Sequence, residues 1–115
     1  MVFDATSANA HLENAELLEK KSIPVIDLTP AKLGKIVVPS VNPEEASDFE
    51  NINMVTCGGQ ASIPIANAMG KVHSEIEYIE VVSSIASLSA GPATRLNLDE
   101  YIATTEHGIM KFSGA

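Results

Sequence analysis

The feature that most constrains the fold of this chain is an alternation of short apolar runs with an amphipathic segment. Residues 2–5, 23–28 and 35–39 are rich in the apolar and β-branched side chains that favour strands. Residues 11–21 lie between the first two runs and carry apolar side chains at helical spacing. Strands that alternate with a helix are typical of parallel sheets, so we expect a layered α/β fold.

The second half of the chain continues the alternation. Residues 40–50 are acidic and contain a proline, and they predict a loop at a domain boundary. Residues 65–71 have helical spacing, and residues 75–87 are rich in Ile, Val and Tyr and predict a long strand. Residues 97–110 predict a further helix, capped by Asn97 with Glu100 as its capping-box partner.

Each predicted helix has an apolar face that we expect to pack in the core. These faces are Leu12, Ala15 and Leu18 in the first helix, Ile65, Met69 and Val72 in the second, and Leu98, Ile102 and Ile109 in the third.

Composition excludes several classes of protein. The chain has 115 residues, of which 45% are hydrophobic, and a formal net charge of −8. This composition is globular, and the acidic balance argues against nucleic-acid binding. We find no signal peptide and no apolar run long enough to span a membrane. The single cysteine excludes an intrachain disulfide and favours the cytoplasm. Both ends look cut, so we expect an internal fragment of a longer enzyme.

The single cysteine, Cys57, follows a strand-like run and precedes Gly58, Gly59 and a helical pattern. A thiol at a strand-to-helix junction lies near unpaired backbone N–H groups and the positive end of the helix dipole, which favour a thiolate. The two glycines would leave room for a substrate and an oxyanion. Two other interpretations remain, a small buried hydrophobic residue and a redox-sensing thiol.

A second candidate segment, residues 89–97, joins the predicted long strand to the last helix. Its small residues would let a ligand approach the backbone, and Arg95 and the following helix N-terminus would favour a phosphate. An ordinary Gly-Pro loop with a solvated arginine is the alternative. His11, His73 and His107 do not have the spacing of metal ligands, so we predict no metal site.

Three blocks in order carry a resemblance to a known family. They are residues 2–8 (VFDATSA), residues 53–64 around Cys57 (NMVTCGGQASIP) and residues 89–95 (SAGPATR). The chain resembles acetaldehyde dehydrogenase (acetylating), the CoA-dependent enzyme that follows 4-hydroxy-2-oxovalerate aldolase in the catabolism of aromatic compounds. The resemblance covers essentially all 115 residues.

The resemblance implies an architecture similar to that of glyceraldehyde-3-phosphate dehydrogenase. Residues 1–56 would be the second half of a Rossmann lobe that binds NAD, and residues 57–115 the start of an α+β catalytic lobe with homodimer contacts. Cys57 would be the acyl-thioester nucleophile, with coenzyme A as co-substrate. The residues implied to contact NAD are Ser89, Ala90, Gly91, Pro92, Ala93, Thr94, Arg95, Leu96 and Asn97.

The sequence departs from the family pattern at two positions and lacks one motif. Leu88 stands where the family has lysine, and Ala93 where it has a second glycine, which would alter the NAD contact. The glycine-rich phosphate turn of a Rossmann lobe is not in this chain. A non-catalytic interaction or oligomerisation module is therefore the alternative function.

Overall fold

The computed structural model describes the backbone of residues 1–115 and every side chain except that of Ala93. The strands are β1 (Val2–Asp4), β2 (Val25–Asp27), β3 (Lys35–Ile36) and β4 (Asn51–Asn53), and the helices are α1 (Ala8–Glu19), α2 (Cys57–Val72), α3 (Pro92–Leu96) and α4 (Leu98–Ser113), with a 3₁₀ helix at Pro43–Asp48.

The four strands form one parallel sheet in the order β1-β2-β4-β3. This arrangement confirms the predicted α/β class with parallel strands. Asp4, Asp27 and Asn53 lie at the same level of the register, at the carboxyl ends of their strands. The carboxyl edge of this sheet is therefore lined by polar residues, and carboxyl edges are where open α/β sheets bind ligands.

Helix α1 packs on the sheet with small and polar residues. Its cap is Ser7, whose Oγ accepts a hydrogen bond of 3.3 Å from the Ala10 N–H. The buried side chains are those of Ala8, His11 and Ala15, whereas Leu12 is 50% exposed. The prediction that Leu12 faces the core is wrong, because the helix turns its polar His11 towards the carboxylates of the sheet.

Helix α2 begins at Cys57, at the strand-to-helix junction that the sequence predicts, and Pro64 lies inside it. Its predicted apolar face is wrong, since Ile65 is 65% and Val72 is 77% exposed. The face that packs inward carries Gly59, Ile63 and Ala66 instead. Small residues on this face permit a close approach to α4, which larger side chains would prevent.

Helices α2 and α4 run side by side in the same direction. A β-carbon at Gly58 would collide with Tyr101, one at Gly108 would lie 2.6 Å from Cδ1 of Ile63, and one at Gly70 would collide with the Ser113 carbonyl. The core beneath the pair combines Ile36, Val38 and Val55 with Ile63, Ala66 and Ile109. In α4, Ile109 is buried as predicted, but Leu98 and Ile102 are exposed.

The predicted strand at residues 75–87 is not formed, and this segment is irregular. Ile79 packs against the core, but most side chains of the segment are exposed, including Val82 at 84%. A strand needs a neighbour to accept and donate its backbone hydrogen bonds, and composition alone does not supply one. The prediction failed because it rested on β propensity without a pairing partner.

The capping box predicted at the start of α4 is also wrong. Asn97 precedes the helix, but its side chain makes no capping hydrogen bond. Its Oδ1 instead accepts a hydrogen bond of 3.2 Å from the Ala8 N–H at the start of α1. This long-range bond connects the beginning of α4 to the beginning of α1, a role that local sequence does not reveal.

A buried polar cluster joins α1 to the sheet. His11 Nδ1 lies 2.9 Å from Asp4 Oδ2, and its Nε2 lies 3.3 Å from Asp27 Oδ2 and 3.2 Å from Asn51 Nδ2. Burial opposes ionisation of Asp4, but hydrogen bonds from Thr6, Asn14 and His11 prevail and hold its pKa well below the usual range. Burial raises the pKa of Asp27.

The pKa values of the two carboxylates are shifted in opposite directions, so substitution of each should change the stability of the fold by a different amount and with a different pH dependence. A depressed pKa stabilises the fold above the unfolded value of about 3.9, and this contribution disappears as pH falls through the folded pKa. A raised pKa has the reverse effect. We expect Asp4→Asn to lower the free energy of unfolding at pH 7 by about 1–3 kcal/mol, and Asp27→Asn to lower it by less.

Urea denaturation from pH 7 to pH 3 measures this difference. In Asp4→Asn the loss of stability on acidification should be smaller than in the unsubstituted chain, whereas Asp27→Asn retains it. Equal losses at pH 7 with parallel pH dependences would contradict the assignment.

Candidate functional site

Cys57 is the first residue of α2, and its side chain is exposed. The structure thus places the thiol at a helix N-terminus after a strand, as the sequence predicted. Thr56 caps the helix, because its Oγ1 accepts a hydrogen bond of 2.8 Å from the Gly59 N–H and its carbonyl accepts one of 2.8 Å from Gln60. The cap fixes the direction in which the first turn, and the thiol with it, leaves the sheet.

A strained residue makes the turn between β4 and α2. Val55 has φ of +63°, in the left-handed region that β-branched residues rarely adopt. Its side chain is buried, and its N–H donates a hydrogen bond of 2.6 Å to Asn53 Oδ1. A strained strand-to-helix turn also occurs in the nucleophile elbow of α/β-hydrolases. Strain of this kind persists where surrounding packing enforces it.

Gln60 ties the same turn to the edge of the sheet. Its Nε2 donates hydrogen bonds to the carbonyls of Val37, at 3.0 Å, and Met54, at 2.8 Å. These carbonyls follow β3 and β4, so a single side chain in the first turn of α2 holds both strand ends. The turn that presents Cys57 is therefore fixed by these hydrogen bonds to the strand ends as well as by its cap.

The two glycines after Cys57 serve packing, which changes their expected role. The space beside Gly58 is occupied by the hydroxyl of Tyr101, and a β-carbon at Gly59 would lie 2.7 Å from Cγ1 of Val55. The prediction that they leave room for a substrate is therefore wrong for both. They let α4 and the strained turn approach the beginning of α2.

Tyr101 is the residue of α4 that lies against the first turn of α2. Its hydroxyl occupies the space that a β-carbon on Gly58 would fill. Burial raises the pKa of Tyr101, and the neighbouring charge of Cys57 raises it further. The phenol is therefore a proton-bearing group at neutral pH, next to the exposed thiol.

Two threonines hold this arrangement together. Thr56 Oγ1 lies 2.7 Å from Thr105 Oγ1, and Thr105 Oγ1 donates a hydrogen bond of 2.8 Å to the carbonyl of Tyr101. The cap of α2 and the backbone beside Tyr101 are thus linked through one buried hydroxyl pair.

The second candidate segment lies close to the same end of α4. Residues 87–89 form a turn, α3 follows after Ala90 and Gly91, and Asn97 ends the segment one helical turn before Tyr101. Arg95 is exposed, and its Nε donates a hydrogen bond of 3.1 Å to the Ala90 carbonyl. A β-carbon on Gly91 would meet nothing within 4 Å. The side chain of Ala93 lies outside the described residues.

No histidine pairs with the thiol in the described part of the chain. His73 directly follows α2, a helix of 16 residues, so it lies about 24 Å from Cys57 along the axis. His11 is buried against the two carboxylates, and His107 is exposed. Among the residues with described side chains, none of the helices is long and apolar enough to cross a membrane.

Sequence reasoning identified the thiol but missed Tyr101, Thr105 and Gln60. Tyr101 and Thr105 are four residues apart, so a shared helix face was predictable. Their contact with Thr56 and Gly58 depends on how α2 and α4 pack, and the apolar faces predicted for these helices were wrong. The sequence therefore carried no signal that placed this face against the thiol.

Comparison with known proteins relates the chain to one family. Residues 57–115 match the family model described as "Prokaryotic acetaldehyde dehydrogenase, dimerisation". The whole chain is 64% identical to an acetaldehyde dehydrogenase of Pectobacterium atrosepticum, 61% to one of Spirochaeta aurantia, and 56% to acetaldehyde dehydrogenase 5 of Rhodococcus jostii. It spans 40%, 39% and 35% of these relatives.

The strain at Val55 predicts an unusual order of stability for its glycine and alanine variants. Val55→Gly and Val55→Ala both lose the buried side chain, but glycine adopts the left-handed conformation more easily by about 1 kcal/mol. We therefore expect Val55→Gly to unfold at a higher urea concentration than Val55→Ala.

Val38 provides the matched control, because it is fully buried and does not have a positive φ. There the ordinary order should hold, with alanine more stable than glycine. The same order at both positions would show that the turn at Val55 is unstrained.

Proposed function

Because the chain belongs to the prokaryotic acetaldehyde dehydrogenase family, we propose that it carries the catalytic thiol of a CoA-acylating, NAD-dependent enzyme. The reaction is the conversion of acetaldehyde, NAD and CoA to acetyl-CoA and NADH. The observation that carries the proposal is the exposed Cys57 at the capped beginning of α2. It follows a strained turn at Val55 that the hydrogen bonds of Gln60 fix in place. A thiol in an unspecialised core position needs none of these features.

The first step is addition of the Cys57 thiolate to the aldehyde. The sulfur lone pair forms a bond to the carbonyl carbon, and the carbonyl π electrons move to oxygen and give a thiohemiacetal oxyanion. Backbone N–H groups in the first turn of α2 are suited to hold this oxyanion, because they lack partners inside the helix. The Tyr101 hydroxyl lies against Gly58, so the Cys57 N–H is the more accessible donor.

The residues of the second segment fit a dinucleotide. Open space beside Gly91 permits close approach to the backbone, and the Asn97–Ala8 hydrogen bond connects the segment to the carboxyl edge of the sheet. We propose that Ser89 to Asn97 contact NAD chiefly through the backbone and Arg95, because Asp99 and Glu100 in the first turn of α4 disfavour a phosphate there. NAD would supply the acceptor for the hydride that leaves the thiohemiacetal carbon.

Loss of the hydride leaves an acetyl thioester on Cys57. The thiolate of CoA, as substrate, then attacks the acyl carbon, and the Cys57 thiolate departs. The products are acetyl-CoA and the regenerated nucleophile. Covalent capture divides one difficult oxidation into two easier steps, and a thiolate is a good group for both attack and departure.

We further propose the division of the chain that the resemblance implies. Residues 1–56 would be the second half of a Rossmann lobe, and residues 57–115 the start of a glyceraldehyde-3-phosphate-dehydrogenase-like catalytic lobe. The parallel sheet supports the first assignment. In the complete enzyme, 4-hydroxy-2-oxovalerate aldolase would deliver the acetaldehyde.

The alternative role, an oligomerisation module, is favoured by one observation. The outer face of α2 carries Ile65, Met69 and Val72, three apolar side chains that are exposed. Contiguous exposed apolar residues mark interaction sites. The dimerisation description of the matching family supports the proposal that this face contacts a second copy. Subunit contact and catalysis are compatible, since Cys57 lies at the beginning of the same helix.

Catalysis is tested in a chimera of the Pectobacterium atrosepticum relative whose matching stretch is replaced by residues 1–115. The chimera should form acetyl-CoA from acetaldehyde, NAD and CoA. Cys57→Ala and Cys57→Ser should each lower kcat/KM by about 10³-fold or more, because no other group can form the thioester.

Binding of NAD, followed by fluorescence titration, serves as the control and should be unchanged in both variants. Substantial turnover in the Cys57→Ala chimera would refute the proposed nucleophile. Lost NAD binding would indicate that the substitution had disturbed the fold instead.

The subunit contact is tested on the chain itself by sedimentation equilibrium. We expect a dimer, and we expect Ile65→Lys to weaken it by at least about tenfold because a charge would be buried in an apolar interface. Leu12→Lys, at an exposed leucine of α1, is the control and should leave association unchanged. A monomeric chain, or equal effects of both variants, would count against this face.

A further inference from the structure

A cleft between α4 and the loop that precedes β3 collects basic side chains. It has a volume of about 380 Å³ and is lined by Lys32, Gly34, Lys35, Ile36, His107 and Lys111. Three of the seven Lys and Arg residues therefore surround one cleft, in a chain whose formal net charge is −8. Because clustered like charges repel one another, this arrangement is unfavourable until an anion neutralises it.

The loop that carries Lys32 is anchored on both sides of this residue. Thr104 Oγ1, on α4, donates a hydrogen bond of 2.9 Å to the Pro30 carbonyl. Asn53 Nδ2, at the end of β4, donates one of 3.1 Å to the Leu33 carbonyl. The loop is therefore tied both to α4, which forms the other wall of the cleft, and to the sheet.

The backbone of this loop is strained where it brings its lysines to the cleft. Lys32 has φ of +53°, in the left-handed region that is unfavourable for a residue with a β-carbon. Gly34 has φ of +82°, and a β-carbon there would collide with Asn51. Strain of this kind is concentrated at functional sites, including those that hold ligands. A glycine at position 32 would relieve the strain but would lack the ammonium group.

The charges at the cleft suit an anion with two negative charges. Glu45 forms an ion pair with Lys35. Contact with Lys35, aided by the charge of Lys111, holds the pKa of Glu45 below its usual value, so this carboxylate is ionised at neutral pH. Among the side chains that the structure describes, Lys32 and Lys111 form no ion pair. Three ammonium groups and one carboxylate therefore leave two positive charges uncompensated.

We propose that this cleft binds a small phosphate monoester, held chiefly by Lys32 and Lys111. A phosphate monoester has a charge between about −1.5 and −2 at pH 7, which matches the two uncompensated ammonium groups. Lysine binds phosphate as a point charge on a flexible stem, which suits the exposed side chains of an open cleft. A volume of about 380 Å³ also leaves space for the organic part of a small ester.

The cleft and the thiol lie towards opposite ends of α4. Tyr101 lies against the beginning of α2, and Lys111 follows Tyr101 by ten residues, or about 15 Å along the helix axis. The inference therefore goes beyond the proposed function of Cys57 and does not depend on it.

The experiment is a titration of the ¹⁵N-labelled chain with methyl phosphate at pH 7 and low ionic strength, followed by amide chemical shifts. We expect saturable shifts centred on residues 32–36 and 107–111. Methyl sulfate, which has a similar shape but a single charge, should bind at least about fivefold more weakly. Shifts that do not saturate, that centre on residues 89–97 instead, or that are equal for the two anions would overturn the inference.

Substitutions at the cleft should change the affinity in opposite directions. Lys32→Gln and Lys111→Gln should each weaken methyl phosphate binding by about fivefold or more, because each removes one uncompensated charge. Glu45→Gln should strengthen binding by about threefold or more, because it releases Lys35 from its carboxylate. A variant that merely disturbed the fold would not tighten binding, so weaker or unchanged binding in Glu45→Gln would count against the proposed charge balance.

Lys71→Gln is the matched control, since it makes the same change of charge in the last turn of α2 and Lys71 does not line the cleft. Its affinity for methyl phosphate should stay within about twofold of that of the unsubstituted chain. Equal weakening in Lys71→Gln and Lys32→Gln would show that binding follows net charge alone, and would overturn the site.

Discussion

The close parallel packing of α2 against α4 is the interaction on which the rest of the site depends. Glycines at 58, 108 and 70 allow the two helices to approach at the beginning, middle and end of their contact. Ile63 and Ile109 then close the core against the sheet. Because the helices run in the same direction, the first turns of both lie at the same end. One packing interaction therefore brings Tyr101 to Gly58 at the beginning of α2 and also sets Asn97 beside the beginning of α1.

Local strain and packing are coupled at the turn before Cys57. The left-handed backbone of Val55 is unfavourable alone, but its buried side chain packs in the same core that α2 and α4 form. The cap at Thr56 joins this turn to α4 through Thr105. The exposed thiol is consequently held by groups from both helices and from the sheet. Such support from rigid elements is what a nucleophile requires, because small displacements lower reactivity strongly.

The sequence predicted the elements that depend on local patterns. The parallel strands, the three long helices and the position of Cys57 at a helix N-terminus follow from short-range periodicity and composition. The predictions failed where contacts between distant parts of the chain decide the structure. Residues 75–87 have strand propensity but no pairing strand, and the apolar stripe at Ile65, Met69 and Val72 faces outward because glycines and small residues pack better against α4. Tyr101 was unpredictable for the same reason.

The central claim is that Cys57 becomes acylated during the reaction. The direct measurement is peptide mass spectrometry of the chimera after incubation with acetaldehyde and NAD in the absence of CoA. The account predicts an acetyl group on the peptide that contains Cys57, and loss of that group as acetyl-CoA when CoA is added. An unmodified Cys57 in a chimera that still forms acetyl-CoA, or an acetyl group on a different residue that is passed to CoA, would contradict it.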